Sequence, residues 1–323
     1  MNIRVESTNG EVLPVGEGAV YAAASAGAHY GPNAFTRMRA RVAQDGAMRI
    51  FALHRHLERT ARGAALFHQG DELEGHVAQW PEWIYAAVRE YLSRGGNGSL
   101  CYIHLGVGAF TGQAAMLQKG GGLVTYISVD EQPPLYGEGI YAVTEGDWPR
   151  PWGPLSHLKF GGPYAELMFL KERARQWAAK HQVSVPHNYR VEALLYDRYD
   201  RDVLSEFGCA NAGWISRNGA AVLFSNKDRF VGITEQAIRM LVCQHTGMEV
   251  AGGNAIGLTQ RVLLSGSPFA MGTAAYGPVP VVWLDGVDIT PVSELEQLHE
   301  LYFRLWDGEL PESDAWTTVV PGC

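Results

Sequence analysis

The sequence predicts an α+β protein of two domains, α/β in the order of its elements but not doubly wound. Three observations lead there. The chain has 323 residues, about twice what one typical core organises. Strand-period and helix-period segments alternate along it, and several strands pair off as hairpins instead of as strand–helix–strand units. The Pro- and Gly-rich stretch "DEQPPLYGEG" (130–139) divides it. The expected boundaries are a small N-terminal α/β domain over 1–130, an interdomain loop over 131–137 and a larger C-terminal domain over 138–323.

The elements follow in order. "AFTRMRARV" alternates, with Phe35, Arg37, Arg39 and Arg41 on one face and Met38, Ala40 and Val42 on the other. "AQDG" is a turn, and "AMRIFAL" returns as a second strand. "HRHLERTARGAALF" (54–67) has helical spacing, and "WPEWIYAAVREYLSRGG" (80–96) is an amphipathic helix stopped by glycine. "SLCYIHLGVGAF" and "GGLVTYISV" are strands. Past the linker, "YAELMFLKERARQWAAKH" (164–181) is a long helix and "VEALLYD" a buried strand. "GWISRNGAAVLF" is a hairpin around Asn218-Gly219. "TEQAIRMLVCQHTG" is a helix with Thr234 as N-cap and Gly247 as its stop. "SELEQLHELYFRLWDGEL" (293–310) is the last helix.

Composition excludes several classes. The net charge is −8, so no global field favours nucleic acid or an anionic membrane. The four cysteines, Cys101, Cys209, Cys243 and Cys323, are scattered without a CxxC pair, and the eleven histidines do not cluster, so no metal site is expected. No apolar run is long enough to span a membrane, and the N-terminus lacks the apolar core of a signal peptide. A cytoplasmic protein is expected.

Candidate chemistry starts at "LSHLKFGGPYAEL" (155–167), where Lys159 lies between apolar residues and is followed by two glycines and Tyr164. Two readings stand: a lysine that snorkels to water, or one placed for imine chemistry, with burial lowering its pKa. Glu206 in "SEFGCANAGWI" follows an apolar strand; it is either a solvated turn residue or a carboxylate with a cationic partner. In "FVGITEQAIRML" a glycine opens a helix whose first amides can bind a phosphate, or are simply capped by Thr234. Gly272-Thr273-Ala274 makes a second turn able to present amides and a hydroxyl to an anion. Arg59, one turn after His56 in "HLERT", is a surface residue or a phosphate clamp.

In this order the pieces resemble the fold-type IV pyridoxal-phosphate (PLP) enzymes, most closely the branched-chain amino acid aminotransferases among the branched-chain and D-amino acid aminotransferase-like proteins. "KFGGPY", Glu206 with Asn211, "GIT", "GTAA" and "HLER" are the motifs that carry the resemblance, which runs from "HYGPNAFTRMRA" near residue 29 to "WDGELPESDAW" near the end. The resemblance implies PLP at the interface of the two domains, with the larger one carrying Lys159. It implies that Lys159 forms the internal aldimine and shuttles a proton, that Glu206 pairs with the pyridine nitrogen, and that Tyr164 reaches the ring's 3-oxygen. Asn211 accompanies Glu206, while Arg59, Ile233, Thr234 and Thr273 hold the phosphate. The reaction implied is a ping-pong transfer between an amino acid and a 2-oxo acid, in a homodimer. Substrate contacts are implied for Tyr30, Phe35, Arg37, Arg39, Tyr102, His104 and Ala274.

The substrate side departs from the family. "FTRMR" stands where the family reads "FEGIR", so Thr36 replaces an acidic residue and Arg37 a glycine. His104 stands for an arginine, and Glu235 turns "GITR" into "GITE". These changes favour an unusual or anionic substrate over a branched-chain one. The other reading is that Arg37, Arg39 and Arg41 pair with carboxylates at a subunit boundary. Two further functions remain: a lyase resembling the 4-amino-4-deoxychorismate lyases, and a non-catalytic relative of the fold.

Overall fold

The computed structural model describes residues 3–13, 33–68, 70–99, 101–109, 122–132, 138–144, 159, 162–197, 200–208, 210–224, 232–251, 256–257, 263–273 and 276–323. They fall into two compact units. The first comprises Met1–Pro133, Leu158–Gly162 and Leu305–Cys323; the second comprises Pro134–His157 and Pro163–Arg304. Lys159 and the C-terminal residues therefore cluster with the N-terminal part of the chain.

In the first unit, β1 (Arg4–Thr8), β2 (Glu11–Leu13), β3 (Asn33–Val42), β4 (Met48–Phe51), β5 (Cys101–Ala109), β6 (Leu123–Glu131) and β17 (Thr317–Val319) form a seven-stranded sheet in the order β17-β4-β3-β5-β6-β1-β2. Every pairing is antiparallel. The two helices, α1 (Leu53–Ala64) and α2 (Asp71–Ser93), cover one face. Against them the strands set Ala34, Met38, Ala40, Cys101, Ile103, Leu105, Val107, Ile127 and Val129, which bury with Leu57, Trp80, Ile84 and Val88 of the helices. Alternation then sends Phe35, Arg37, Arg39, Tyr102 and His104 to the opposite face.

α2 begins ahead of the expected residue 80 and runs through Pro81. Asp71, Glu72 and Glu74 in its first turn are the acidic residues its amide end favours; Pro81 is not its start signal. The passage from β4 into α1 turns on Ala52, held at φ 51° with its N–H bonded to Trp316 O at 2.6 Å. A left-handed alanine costs about 1 kcal/mol. That turn sets the direction of the helix that carries His56 and Arg59.

In the second unit, β7 (Gly139–Val143), β8 (Tyr189–Asp197), β9 (Asp200–Phe207), β10 (Asn211–Ser216), β14 (Gly266–Gly272) and β15 (Gly277–Leu284) form a six-stranded ring, β10-β14-β15-β7-β8-β9, back to β10. β7 runs parallel to β8 and β15, and the other ring pairings are antiparallel. The ring closes where Asn211 faces Glu206. β11 (Ala221–Phe224), β12 (Glu249–Val250), β13 (Ile256–Gly257) and β16 (Val287–Asp288) extend it at the margins. The Asn218-Gly219 hairpin joins β10 to β11, with Gly219 at φ 67°.

α3 (Gly162–Lys180) lies between the parallel strands β7 and β8 in sequence, as a crossover requires. Its Leu167, Leu170, Ala174 and Ala178 pack on Val143, Val191, Ala193 and Leu195. Lys171 pairs with the fully buried Glu192 of β8; burial pushes that carboxyl up and Lys171 draws it back. α4 (Ile233–His245) begins one residue before Thr234, with Gly232 as its N-cap. This corrects the expected cap. Gly232 is extended, its carbonyl accepts the Gln236 N–H at 3.1 Å, and Thr234 is already helical. The helix ends at His245 and not at Gly247, because Thr246 is extended. α5 (Ser293–Asp307) and the short α6 (Ser313–Trp316) complete the chain. Among the described residues no helix is long and apolar enough to cross a membrane.

Candidate active site

The sheet of the first unit collects one set of candidates on the face away from its helices. Lys159 is half-buried beside β3. Its carbonyl accepts the Phe35 N–H at 3.2 Å, and its Nζ stands 5.2 Å from the centre of the Phe35 ring. The β3–β5 register sets Arg37 opposite His104 and Arg39 opposite Tyr102. His104 lies 5.6 Å from the Phe35 ring and meets Tyr126 of β6 edge-on at 6.2 Å. Burial, then Arg37, Lys159 and Arg4, bring the His104 pKa down to about 4. It is therefore a neutral imidazole beside three cations at pH 7.

The three arginines of β3 differ. Arg37 is exposed, with its guanidinium 5.8 Å from Phe35 and 6.0 Å from Tyr102. Arg39 is buried; it donates to Gln132 O and lies 4.9 Å over the Tyr102 ring. Arg41 forks onto Asp307 of the same chain, at 2.5 and 2.6 Å. Burial raises the Tyr102 hydroxyl, and the two neighbouring arginines draw it back. At the other edge of this face, Arg4 bridges the Tyr126 hydroxyl and Glu6, both at 3.0 Å.

Arg59 is set by a chain of side chains that the linear motifs do not show. Its Nη2 donates to Thr36 Oγ1 at 2.9 Å, and Thr36 Oγ1 lies 2.7 Å from His56 Nδ1. A guanidinium only donates, and Arg59 Nη2 also lies 3.3 Å from His56 Nδ1, so the tautomer that leaves Nδ1 an acceptor, with the Thr36 hydroxyl accepting from Arg59 and donating to Nδ1, satisfies every contact. His56 then carries its proton on Nε2. Burial above all, with the nearby Arg59 and Lys159, keeps His56 well below the ordinary histidine range and hence neutral. The spacing of "HLER" places His56 and Arg59 one turn apart; Thr36 joins them only because β3 packs on α1.

The second unit collects the other set. Glu206 is buried, 6 % exposed, and meets the buried Asn211 where the ring of strands closes. The start of α4 lies beside Asn211: a Cβ on Gly232 would sit 2.0 Å from Asn211 Oδ1. Only glycine allows that approach. Ile233 and Thr234 are buried in the first turn of α4, whose N-cap, Gly232, carries no side chain. Thr273 follows the end of β14, two residues past the Met271 that pairs with Asn211. Glu235, also buried, is matched by Arg239 at 2.8 Å.

Tyr30 and Ala274 lie outside the described residues, as do residues 133–137 of the expected linker; Tyr164 is in the first turn of α3, but its side chain is not among those described. Sequence reading passes over Thr36, His56 and Gly232 as site residues. The last two sit inside motifs already singled out, "HLER" and "GIT".

Each unit carries its own donors. In the first, the Lys159 amine suits a carbonyl and the Arg59 guanidinium an anion; in the second, the buried Glu206 carboxylate suits a protonated ring nitrogen and the first amides of α4 suit an anion.

No protein-family model matches the sequence, and no curated protein matches it either. Solved structures do match it over almost its whole length. A branched-chain aminotransferase from the thermophilic archaeon Thermoproteus uzoniensis, crystallised with norvaline, superposes with a TM-score of 0.78 at 20 % identity, covering 99 % of this chain and 100 % of that one. The Escherichia coli branched-chain amino acid aminotransferase gives 0.76 at 20 % identity, with 99 % of each chain covered. The branched-chain amino acid aminotransferase of Thermobaculum terrenum, in its PLP form, gives 0.76 at 18 % identity, again with 99 % of each covered. The chain thus has the fold-type IV architecture of the branched-chain aminotransferases.

Proposed function

We propose that this protein is a PLP-dependent aminotransferase, working by alternating half-reactions between an amino acid and a 2-oxo acid. The observation that carries the reading is the buried Glu206 carboxylate where the ring of strands closes, near a helix start whose N-cap is Gly232, in a chain that also holds Lys159 half-buried beside Phe35. A carboxylate and a protonated pyridine nitrogen are complementary, so Glu206 suits the ring of such a cofactor.

Bound PLP supplies a conjugated electron sink that stabilises negative charge at the substrate α-carbon. The chain's own residues do the rest. Lys159 would hold the cofactor through its amine, and its Nζ would be the base that holds and moves the substrate α-proton. Glu206 keeps the ring nitrogen protonated. Arg59, oriented by Thr36 and His56, holds the phosphate with Thr234, Ile233 and Thr273. Neutral His104 and exposed Arg37 face the substrate; one supplies a hydrogen-bonding edge, the other a cation that selects an anionic donor or acceptor.

The test is the absorption spectrum of the purified protein with PLP, before and after a panel of amino acids and then oxo acids. A visible band that one donor removes and one oxo acid restores establishes transamination. A donor that is consumed with no lasting change in the band points to a lyase, and no band at all overturns the reading.

A further inference from the structure

A cleft in the second unit has a chemistry that the proposed function does not use. It opens beside the C-terminal end of α3, where the helix leaves the strands, and has a volume of about 460 Å³. Its floor is a ring pair across two parallel strands: Tyr141 of β7 is the register partner of Trp283 of β15, with centroids 5.5 Å apart and planes 15° from parallel. Trp177 of α3 rises beside them, 6.4 Å from Trp283 and tilted 57° to it, with His181 stacked on Trp177 at 4.0 Å.

Two carboxylates complete the lining. β15 and β16 are joined by the tight turn Asp285-Gly286, both at positive φ, the conformation a two-residue hairpin demands. Asp285 accepts the Thr144 N–H at 2.9 Å and also the Thr144 hydroxyl, which fixes it at the rim. Asp288 is exposed and pairs in register with Trp283, on the hairpin strand next to the ring pair. No lysine or arginine is among the described residues that line the cleft. Aromatic faces attract cations through their quadrupole, and the two carboxylates add a field of the same preference.

We propose that this cleft binds a small organic cation, an alkylammonium or guanidinium group, over the Tyr141–Trp283 pair with Trp177 as wall and Asp285 and Asp288 as counter-charges. The probes are choline, agmatine and the neutral isostere of choline in which a tert-butyl group replaces the trimethylammonium. The readout is the indole N–H resonances of Trp177 and Trp283 in the full chain, assigned by substitution to Phe. One or both cations are expected to move these two resonances saturably while the neutral isostere does not. Asp288→Asn, on an exposed hairpin, is expected to weaken the effect about tenfold, the loss of one near charge. Equal shifts from the neutral isostere, no saturable shift from either cation, or an unchanged response in Asp288→Asn would each overturn the assignment.

Discussion

On the seven-stranded sheet, charge sits on strand faces: Arg37, Arg39 and Arg41 follow one another on β3, and Lys159 stands above Phe35 of the same strand. In the ring of the second unit the candidates are instead a carboxylate at a strand junction and the amide end of a helix. The first arrangement leaves cations in one plane, and burial, with those cations second, keeps His104 neutral among them. The second places a buried negative group where backbone pairing, not side-chain pairing, sets its position. On that face the exposed Arg37 can lose its charge at little cost in stability, because water absorbs the change, whereas the buried Glu206 cannot.

Five changes test that contrast, from the largest effect to the smallest. Lys159→Ala is expected to lower turnover by something on the order of 10⁴-fold and to abolish the visible band with PLP, while the far-ultraviolet dichroism stays the same. Glu206→Gln keeps the shape but removes the charge; a drop of about 10²-fold in kcat is expected, with PLP still bound. If Glu206→Gln behaves like wild type, the carboxylate serves the ring closure and not the cofactor.

The histidines make the sheet face sensitive to acid. His104 titrates near 6.5 in the unfolded chain and at about 4 when folded, so between those values the unfolded state binds more protons. Stability is therefore complete above pH 6.5 and falls as the pH drops towards 4, by up to about 3 kcal/mol. His56 adds to the fall in the same direction. Denaturant titrations at stepped pH measure it, and His104→Gln is expected to flatten the profile. A profile that stays as steep would place the acid sensitivity elsewhere.

Thr36→Val removes the hydroxyl between Arg59 and His56 with little change of volume. It is expected to cost about 1–3 kcal/mol of stability and to weaken PLP more than phosphate-free pyridoxal; Thr36→Ser should restore both. The smallest effect is expected on the exposed residue. Arg37→Gly should reduce use of acidic donors roughly tenfold with apolar donors unaffected. An unchanged donor profile would remove Arg37 from the substrate site.

Much of the site is legible in the chain because its motifs are local. The alternation of "AFTRMRARV" puts Phe35, Arg37 and Arg39 on one face, and the β3–β5 register bears that out. "HLER" places His56 and Arg59 on one side of a helix. Thr234 shows the limit of local rules. Threonine is a favoured N-cap, yet Thr234 already lies inside the first turn and the cap is Gly232, where a side chain would meet Asn211, more than twenty residues earlier in the chain. The start of α2 escapes local rules for a similar reason: Pro81 is a strong local signal, and the helix continues through it because Trp80, Ile84 and Val88 on both sides are buried in the same core.

From side-chain period, turn residues and spacing, the sequence by itself determined an α+β chain of two parts and the position of each strong turn. The fold type and the candidate lysine, carboxylate and phosphate-binding segments were legible through the order of local motifs that resemble a known family. Tertiary structure alone decided that Glu206 and Asn211 close a ring of strands, that Thr36 links Arg59 to a neutral His56, and that Arg41 is tied to Asp307 while Arg37 is left exposed. Each of those depends on strand register, packing or desolvation between segments distant in sequence, and no local pattern encodes which segments will meet.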